Sequence, residues 1–491
     1  MSNLIVVDNP KSWPLDFPGA PVVAARAYLT DPRYSEMKNL KVFNLCRSYR
    51  YQSTGYYVSL LAMARGHKPL PAISNIQDMK SLSIARIIAG DLDELTQRSL
   101  RSIKSDTFDL SVYFGRNVAK RYDDLAARLF GLFRAPLLRA EFQRAEGGWE
   151  LKSVRAIAAH EIPASHHEAV AEAAGQIFAR ARLPARRAAA PAYDLAVLHN
   201  PQEPNPPSNP KALERFASEA RKLKMGVEFI TREDFGRLGE FDALFIRETT
   251  SVHHHTYRFA RRGAAEGLVV IDDPDSIVRC TNKVYLAELL TRYGVPTPRS
   301  VIVHRDNRAE ARDSLGMPCI LKQPDGSFSQ GVVKAEDHKE FDQLVDVLLD
   351  KSDMIIAQEF VPTEFDWRIG VLDRQPLYAC KYYMAGGHWQ IAQSGAQGAV
   401  FGKVEAVPLE LTPRQVLQTA VRAARLIGDG LYGVDLKLLG DKACVIEVND
   451  NPTIEAGDED HVLKGELYAR IMRVFLARIQ EKKDGLARGQ G

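Results

Sequence analysis

Cysteine is scarce in this 491-residue chain: Cys46, Cys280, Cys319, Cys380 and Cys444 are odd in number, widely spaced and without a CxxC pair. A disulfide framework and a zinc ribbon are thereby excluded, and reduced, mostly buried thiols are expected. Long apolar runs are also missing; a stretch such as Gly267 to Ile271 is far too short to cross a bilayer, so no membrane role is expected. The opening Met1-Ser2-Asn3-Leu4-Ile5-Val6-Val7-Asp8 has neither the basic n-region nor the apolar h-region of a signal peptide, which points to the cytoplasm. Charge of one sign does not dominate, since 65 Lys plus Arg against 62 Asp plus Glu leave +3, and this argues against a dedicated nucleic-acid binder. Neither GxxxxGK[ST] nor GxGxxG occurs in the right context. His160-Glu161 with His166-His167 lacks the HExxH spacing, and Pro163 breaks the helix that a zinc pair would need.

What is present is ordinary globular composition, 45% hydrophobic and 26% charged, in a chain long enough for about three domains. One seam runs from Arg180 to Pro191, an Arg/Ala/Pro stretch before the strand-like Tyr193 to Leu198. The proline-rich loop His199 to Pro207 follows. From Lys211, helices alternate with strands Gly226 to Ile230, Ala243 to Arg247 and Leu268 to Asp272, which predicts a parallel sheet. Thr281 and Asn282 can cap a helix from Lys283 to Tyr293, and strands, turns and further helices then run to about Glu481 before a frayed tail. These shifts divide the chain into 1–185, 192–280, 281–481 and 482–491. In the first block, a strand Lys41 to Leu45 leads through Cys46-Arg47-Ser48-Tyr49-Arg50 to a helix ending near Arg65. An anion site at that helix start and a plain solvated turn both fit.

Strands Tyr432 to Leu439 and Lys442 to Asn449, joined through Gly440 and Asp441, are the most informative segment. Matching the apolar sets Val434, Leu436, Leu438 and Cys444, Ile446, Val448 places Asp435 opposite Glu447, with Asn449 two residues along. Three oxygen-bearing side chains then converge, which suits a hard cation such as Mg2+ that also meets substrate phosphates. A two-residue hairpin loop would shift this register by one and remove the inference. A second element, Cys319-Ile320-Leu321-Lys322, ends an apolar strand on a lysine before the Gly/Ser loop Gln323 to Val332; it reads either as a phosphate cradle or as a β-turn with a surface lysine. A third comprises Ile355 to Val361 and Asp366-Trp367-Arg368, where Asp366 and Arg368 share a strand face as an anion clamp or a structural salt bridge. For His253-His254-His255 a solvated loop comes first, substrate contact second and metal binding last, since adjacent histidines rarely converge on one ion.

The order of Asn282-Lys283, Lys322 with its loop, Gln358-Glu359-Phe360-Val361, Asp366-x-Arg368, and Asp435 with Glu447-Val448-Asn449-Asp450-Asn451-Pro452 resembles the ATP-grasp superfamily. It is most similar to the RimK-like carboxylate-amine ligases, over residues 192 to 480. Val42 to Tyr57 resembles the N-terminal domain found on one RimK-like subgroup. The resemblance implies an α/β protein, α+β in part, with an ATP-grasp fold preceded by a small parallel αβ domain and an N-terminal accessory αβ domain. It implies that Lys283 and Lys322 contact ATP phosphates, that Gln358, Glu359, Phe360 and Val361 form the adenine hinge, and that Asp366 lies near the ribose. Gly326, Ser327, Ser329, Gln330 and Gly331 would close over the phosphates, Arg368 would steady the transferring phosphoryl group, and Asp435, Glu447 and Asn449 would hold Mg2+, two ions in all, with Mn2+ as substitute.

The implied reaction joins a carboxylate to an amine through an acylphosphate. Small molecules or peptides are the expected substrates, with a protein acceptor and a homo-oligomer compatible. Arg247, Lys381 and Gln390 are the substrate-binding candidates. Where the ribosomal-protein glutamate ligases carry a basic stretch, this chain has Ala385-Gly386-Gly387-His388-Trp389-Gln390-Ile391-Ala392-Gln393-Ser394-Gly395, which suits a smaller or less anionic substrate. A nucleotide-responsive binding module and a small-molecule kinase are the alternatives.

Overall fold

The computed structural model describes residues 2–13, 15, 17, 20–37, 40–80, 92–145, 147–180, 191–325, 331–385, 389–395 and 398–488. The chain forms two compact units, Met1–Ala190 with Glu233–Glu240, and Pro191–Arg232 with Phe241–Gly491.

In the first unit, strands β1 (Ser2–Val7), β2 (Val22–Ala24), β3 (Leu40–Asn44) and β4 (Lys68–Leu70) pair in parallel in the order β2-β1-β3-β4. Strands β5 (Thr107–Tyr113), β6 (Leu137–Ala145) and β7 (Gly148–Ala156) form an antiparallel sheet. The turn after β3 satisfies its own polar groups: Asn44 Nδ2 donates to Gly55 O (2.7 Å) and Ser59 Oγ (2.9 Å), Tyr49 donates to Asn44 O, and Ser53 caps the helix Thr54–Ala64. Glu240 joins this unit through Lys41, 3.1 Å away.

The second unit opens with β8 (Tyr193–Leu198), β9 (Met225–Ile230), β10 (Ala243–Ile246) and β11 (Val269–Ile271), all parallel, in the order β11-β10-β8-β9. An antiparallel sheet follows, ordered β12-β15-β13-β14, from β12 (Ser300–Val303), β13 (Cys319–Lys322), β14 (Val332–Ala335) and β15 (Ile355–Glu359). The largest sheet combines β16 (Phe365–Leu372), β17 (Gln375–Tyr383), β20 (Val404–Val407), β21 (Leu431–Leu439) and β22 (Lys442–Asn449) in the order β20-β17-β16-β21-β22, with β18 (Ala392–Gly395) and β19 (Gly398–Phe401) as a separate hairpin.

The helix Gly465–Arg488 explains why the parallel sheet and the large sheet share one unit. Its stripe Leu467, Tyr468, Ile471, Met472, Phe475 and Ile479 recurs at helical spacing, and all six are buried in a core that also takes Leu195, Val197 and Phe245 from the parallel sheet and Leu372, Tyr378 and Leu431 from the large one. Over 482–488 this helix stands where a frayed tail is expected, with residues 489–491 outside the described residues: Lys482 Nζ donates to Leu268 O, and Lys483 pairs with Asp242 at 3.1 Å. The other face of the large sheet covers Val416, Ala420, Ala423, Ala424 and Ile427 of the helix Arg414–Ile427. All five cysteines are buried and free, as their spacing predicts. Among the described residues no helix is long and apolar enough to cross a membrane.

Candidate functional site

The site lies on the polar end of the large sheet, and its assembly depends on one irregularity. The hairpin between β21 and β22 has a two-residue loop, with Leu439 paired to Lys442 and Gly440 at φ +57°, a conformation that glycine adopts without strain. That loop sets the register Leu438↔Ala443 and Leu436↔Val445, one residue away from the Leu438↔Cys444 and Leu436↔Ile446 pairs expected from apolar matching. Continued unchanged, it would place Ile446 opposite Asp435. A bulge between Asp435 and Leu436 takes Ile446 out of the ladder, so that Asp435 faces Glu447 and Gly433 faces Asn449. The residues of β22 that pack into the core with the helix Arg414–Ile427 are therefore Ala443, Val445 and Val448.

Strand alternation puts Arg368, opposite Asp435 on β16, on the same face. Its guanidinium grips the carboxylate with two bonds, Nε to Oδ1 at 2.5 Å and Nη2 to Oδ2 at 2.7 Å, and both residues are buried. Asn449 Nδ2 donates to Asp435 Oδ2 (3.2 Å) and Gly433 O (3.4 Å). A β-carbon at Gly433 would stand 2.7 Å from Pro452 Cβ and 3.3 Å from Arg368 Cδ, so the strand passes this point only as glycine. Burial opposes the charge on Arg368, but Asp435 outweighs it and holds the guanidinium protonated.

Two lysines complete the charged set. Lys283 begins the helix Lys283–Arg292, capped by Asn282, and its Nζ lies 3.2 Å from Glu447 Oε1. Its backbone N–H donates to Pro324 O, and Asn282 Nδ2 to Asp325 Oδ1, which fastens the helix start to the segment after β13. Lys322 ends β13, buried, and donates to Gln358 Oε1 at 2.8 Å; Gln358 in turn donates to Ser300 Oγ. Burial pushes the Lys322 ammonium down to about 8, with Glu447 opposing the fall. Burial works to raise the Glu447 carboxyl, yet Lys283 and Lys322 hold it below its ordinary value. Asp366 pairs with Lys437 Nζ (2.6 Å) and accepts from Thr363. Phe360 lies under the Lys334 ammonium, 4.3 Å from the ring centroid, and meets the edge of Trp389 at 6.2 Å. Gly331 O accepts from Gln323 N, closing the base of the glycine-containing loop. Gly326, Ser327, Ser329 and Gln330 lie outside the described residues, as do residues 386–388 of the segment after β17.

Two substrate candidates are placed elsewhere by the structure. Arg247 is not open to a carboxylate: it is 1% exposed, and its donors are taken by Ser208 Oγ, Pro207 O, Pro452 O and Asn451 Oδ1. Lys381 faces away from Asp435, because Cys380 and Tyr382 are the residues of β17 opposite Arg368 and Asp366; its ammonium lies over Phe365 and Trp367 and pairs with Glu405 at 3.3 Å. Gln390 is half-buried after β17, and its carbonyl accepts from Ala385 N. The site also recruits residues absent from the sequence expectations. Tyr382 stacks 4.7 Å from Arg368 and bonds Glu459, and Lys437 sits two positions from Asp435 on the same face, a relation that strand alternation could have flagged. The histidine triplet is not a uniformly solvated loop: His253 is exposed, whereas His254 and His255 turn inward toward Glu248.

Residues 280–474 match the family described as the RimK-like ATP-grasp domain, and residues 25–173 match the RimK-like ATPgrasp N-terminal domain. The chain thus carries a RimK-like ATP-grasp domain and the N-terminal domain described with it. Its fold is accordingly mixed α/β, ATP-grasp preceded by an N-terminal domain. A probable alpha-L-glutamate ligase 1 of Hahella chejuensis is 28% identical over 260 residues, 51% of this chain and 81% of that protein. A probable alpha-L-glutamate ligase of Vibrio vulnificus is 27% identical over 222 residues, 44% of this chain and 71% of its own length. Among solved structures, the RimK domain ATP-grasp protein of Sphaerobacter thermophilus aligns with a TM-score of 0.45 at 15% identity, over 57% of this chain and 98% of that one.

Proposed function

We propose that this RimK-like ATP-grasp protein is an ATP- and Mg2+-dependent ligase that joins a carboxylate to an amine and releases ADP and phosphate. The observation that carries the proposal is the meeting of Asp435, Glu447 and Asn449 on one sheet face, with Arg368 and Lys283 in contact with them. These oxygen donors fit a hard divalent cation: Glu447 is 31% exposed at its side chain, and Asp435 is oriented by a guanidinium bonded to both of its oxygens. Two magnesium ions, replaceable by Mn2+, would neutralise charge on the nucleotide phosphates when bound.

In this reading Lys283 and Lys322 bind ATP phosphates, Gln358 to Val361 hold the adenine, Asp366 lies near the ribose, and the loop from Gly326 to Gly331 covers the β- and γ-phosphates. An oxygen of the substrate carboxylate attacks the γ-phosphorus. The bond to the β–γ bridging oxygen breaks, and ADP leaves with that electron pair. The amine nitrogen then attacks the acylphosphate carbon, phosphate departs, and the nitrogen loses a proton. Phosphoryl transfer spreads negative charge over equatorial oxygens, so Arg368 and the lysines act by position and charge without a covalent protein nucleophile.

The names of the curated relatives make glutamate one amine to test. The segment Ala385 to Gly395, lacking a basic stretch, makes a less anionic amine the other. Purified protein with Mg2+-ATP and pooled amino acids, peptides and small carboxylates is expected to release ADP and phosphate only when a carboxylate and an amine are both present, and Glu447→Ala is expected to abolish this. AMP as product, or full activity of the variant, contradicts the proposal. Phosphorylated product that survives added amine would instead identify a kinase, and nucleotide binding without any turnover a binding module.

A further inference from the structure

The chain leaves β10 at Ile246 and passes through Arg247 and Glu248 to the helix His255–Ala265, at the carboxyl edge of the parallel sheet. Open α/β sheets bind ligands at that edge. Glu248 is 2% exposed, and its Oε2 has no hydrogen-bond partner; neither has Nε2 of His255. The other carboxylate oxygen, Oε1, stands 2.9 Å from that same nitrogen without a hydrogen bond joining them. A buried carboxylate without donors is costly unless a cation neutralises it. An oxygen and a ring nitrogen this close without hydrogen-bond geometry have the arrangement of two ligands of one ion, which stand about 3.3 Å apart at zinc bond lengths and tetrahedral angles.

His254 supplies the third group. Its ring centroid is 4.0 Å from that of His255, and one ligand atom from each of Glu248, His254 and His255 lies within 4.8 Å of the others. Adjacent histidines converge here because His254 is the extended residue before the helix (φ −95°, ψ 160°) while His255 opens it, so the two side chains leave the backbone on different geometries. Thr256 Oγ1, 3.2 Å from His254 Nδ1, orients the first ring, as outer partners of metal-bound histidines do.

We propose that Glu248, His254 and His255 form a binding site for a zinc-type divalent metal, separate from the magnesium-nucleotide set. Two imidazoles and one carboxylate favour Zn2+ or Co2+ over Mg2+, and three protein ligands leave a coordination position open. Asn451 Nδ2 donates to Glu248 O at 2.7 Å, two residues after Asn449, so the two sets are linked through one short segment. The open position takes a carboxylate or water; its use for a substrate carboxylate rests on the ligase reading, whereas the metal site does not.

The test is titration of the full chain, stripped with chelator and held in excess Mg2+, with Co2+ followed by its visible absorption, then displacement by Zn2+. One Co2+ per chain is expected, bound at least about tenfold more weakly by Glu248→Gln and by His255→Ala, with His253→Ala unchanged. Zn2+ is also expected to raise the melting temperature of the parent but not of Glu248→Gln, a near-isosteric change that keeps the metal-free fold. Absence of Co2+ binding, equal binding by Glu248→Gln and His255→Ala, equal zinc stabilisation of parent and Glu248→Gln, or an equal loss in His253→Ala overturns the proposal. The last of these would mark casual binding by exposed histidines.

Discussion

Replacing Asp435 by Asn separates what the Arg368–Asp435 pair does for the fold from what it does for chemistry. Both partners are buried, and the pair has two charge-assisted bonds at 2.5 and 2.7 Å. The amide keeps one acceptor but no charge, so Arg368 is left protonated, desolvated and half-paired. Breaking a buried pair in this way costs about 3–5 kcal/mol. At roughly 2–4 °C per kcal/mol for a unit of this size, the melting temperature of the second unit should fall by about 6–20 °C. Removing both charges with apolar residues of similar volume, Arg368→Met with Asp435→Leu, should restore most of that loss, because no uncompensated charge remains. Neither variant should turn over Mg2+-ATP. Calorimetry on the parent, Asp435→Asn and the double variant, alongside ADP release, reads both quantities. A fall below about 1 kcal/mol in Asp435→Asn would show that the pair is not the buried contact described, since that is the range of exposed ion pairs. A double variant as unstable as Asp435→Asn alone would refute the desolvation argument, because the strain would then lie in packing.

Lys322 gives a pH signature. With its ammonium pushed down to about 8 by burial, the nucleotide-free protein loses this charge as pH rises through 8, and ATP affinity should fall between about pH 7 and 9; calorimetric titration should show the decline in the parent and a flat profile in Lys322→Met. The same shift acts on stability with the opposite sign. Between about pH 8 and the ordinary lysine value of 10.5 the unfolded chain binds the extra proton, so the Lys322 contribution to stability rises with pH across that window in nucleotide-free protein. Arg247→Met should lower stability by at least about 1–3 kcal/mol while leaving ATP affinity unchanged, because the guanidinium ties Pro207 and Ser208 to Asn451 and Pro452 and its loss leaves buried acceptors unpaired; urea unfolding beside nucleotide titration checks both parts, and unchanged stability would refute this structural role.

The parts of this protein legible in its sequence are those governed by a single local period. The apolar run of Tyr193 to Leu198 and the βαβ rhythm after Lys211 suffice for the parallel sheet, since its central strands β8 and β10 are buried over Leu195–Leu198 and Ala243–Ile246. Position on a strand also suffices to put Arg368 and Asp366 on one face. Lys381 fails for the complementary reason: chosen as a cation near the site, it sits one residue out of phase with Tyr382, and one residue on a strand means the opposite face. Asp435 and Glu447 are harder, because their meeting depends on two cancelling displacements, the two-residue loop at Gly440 and the bulge at Ile446. Apolar matching assumes a regular ladder, and it reaches the correct pair at the Asp435 end while misplacing every pair toward the turn. Arg247 and the histidines lie beyond any local period. Whether an arginine at a strand end meets ligand or protein is decided by Asn451 and Pro452, about two hundred residues later in the chain. Whether neighbouring histidines converge is decided by the one peptide at which extended backbone becomes helix. Both depend on a boundary rather than a repeat, and boundaries are the features that hydrophobic periodicity leaves least determined.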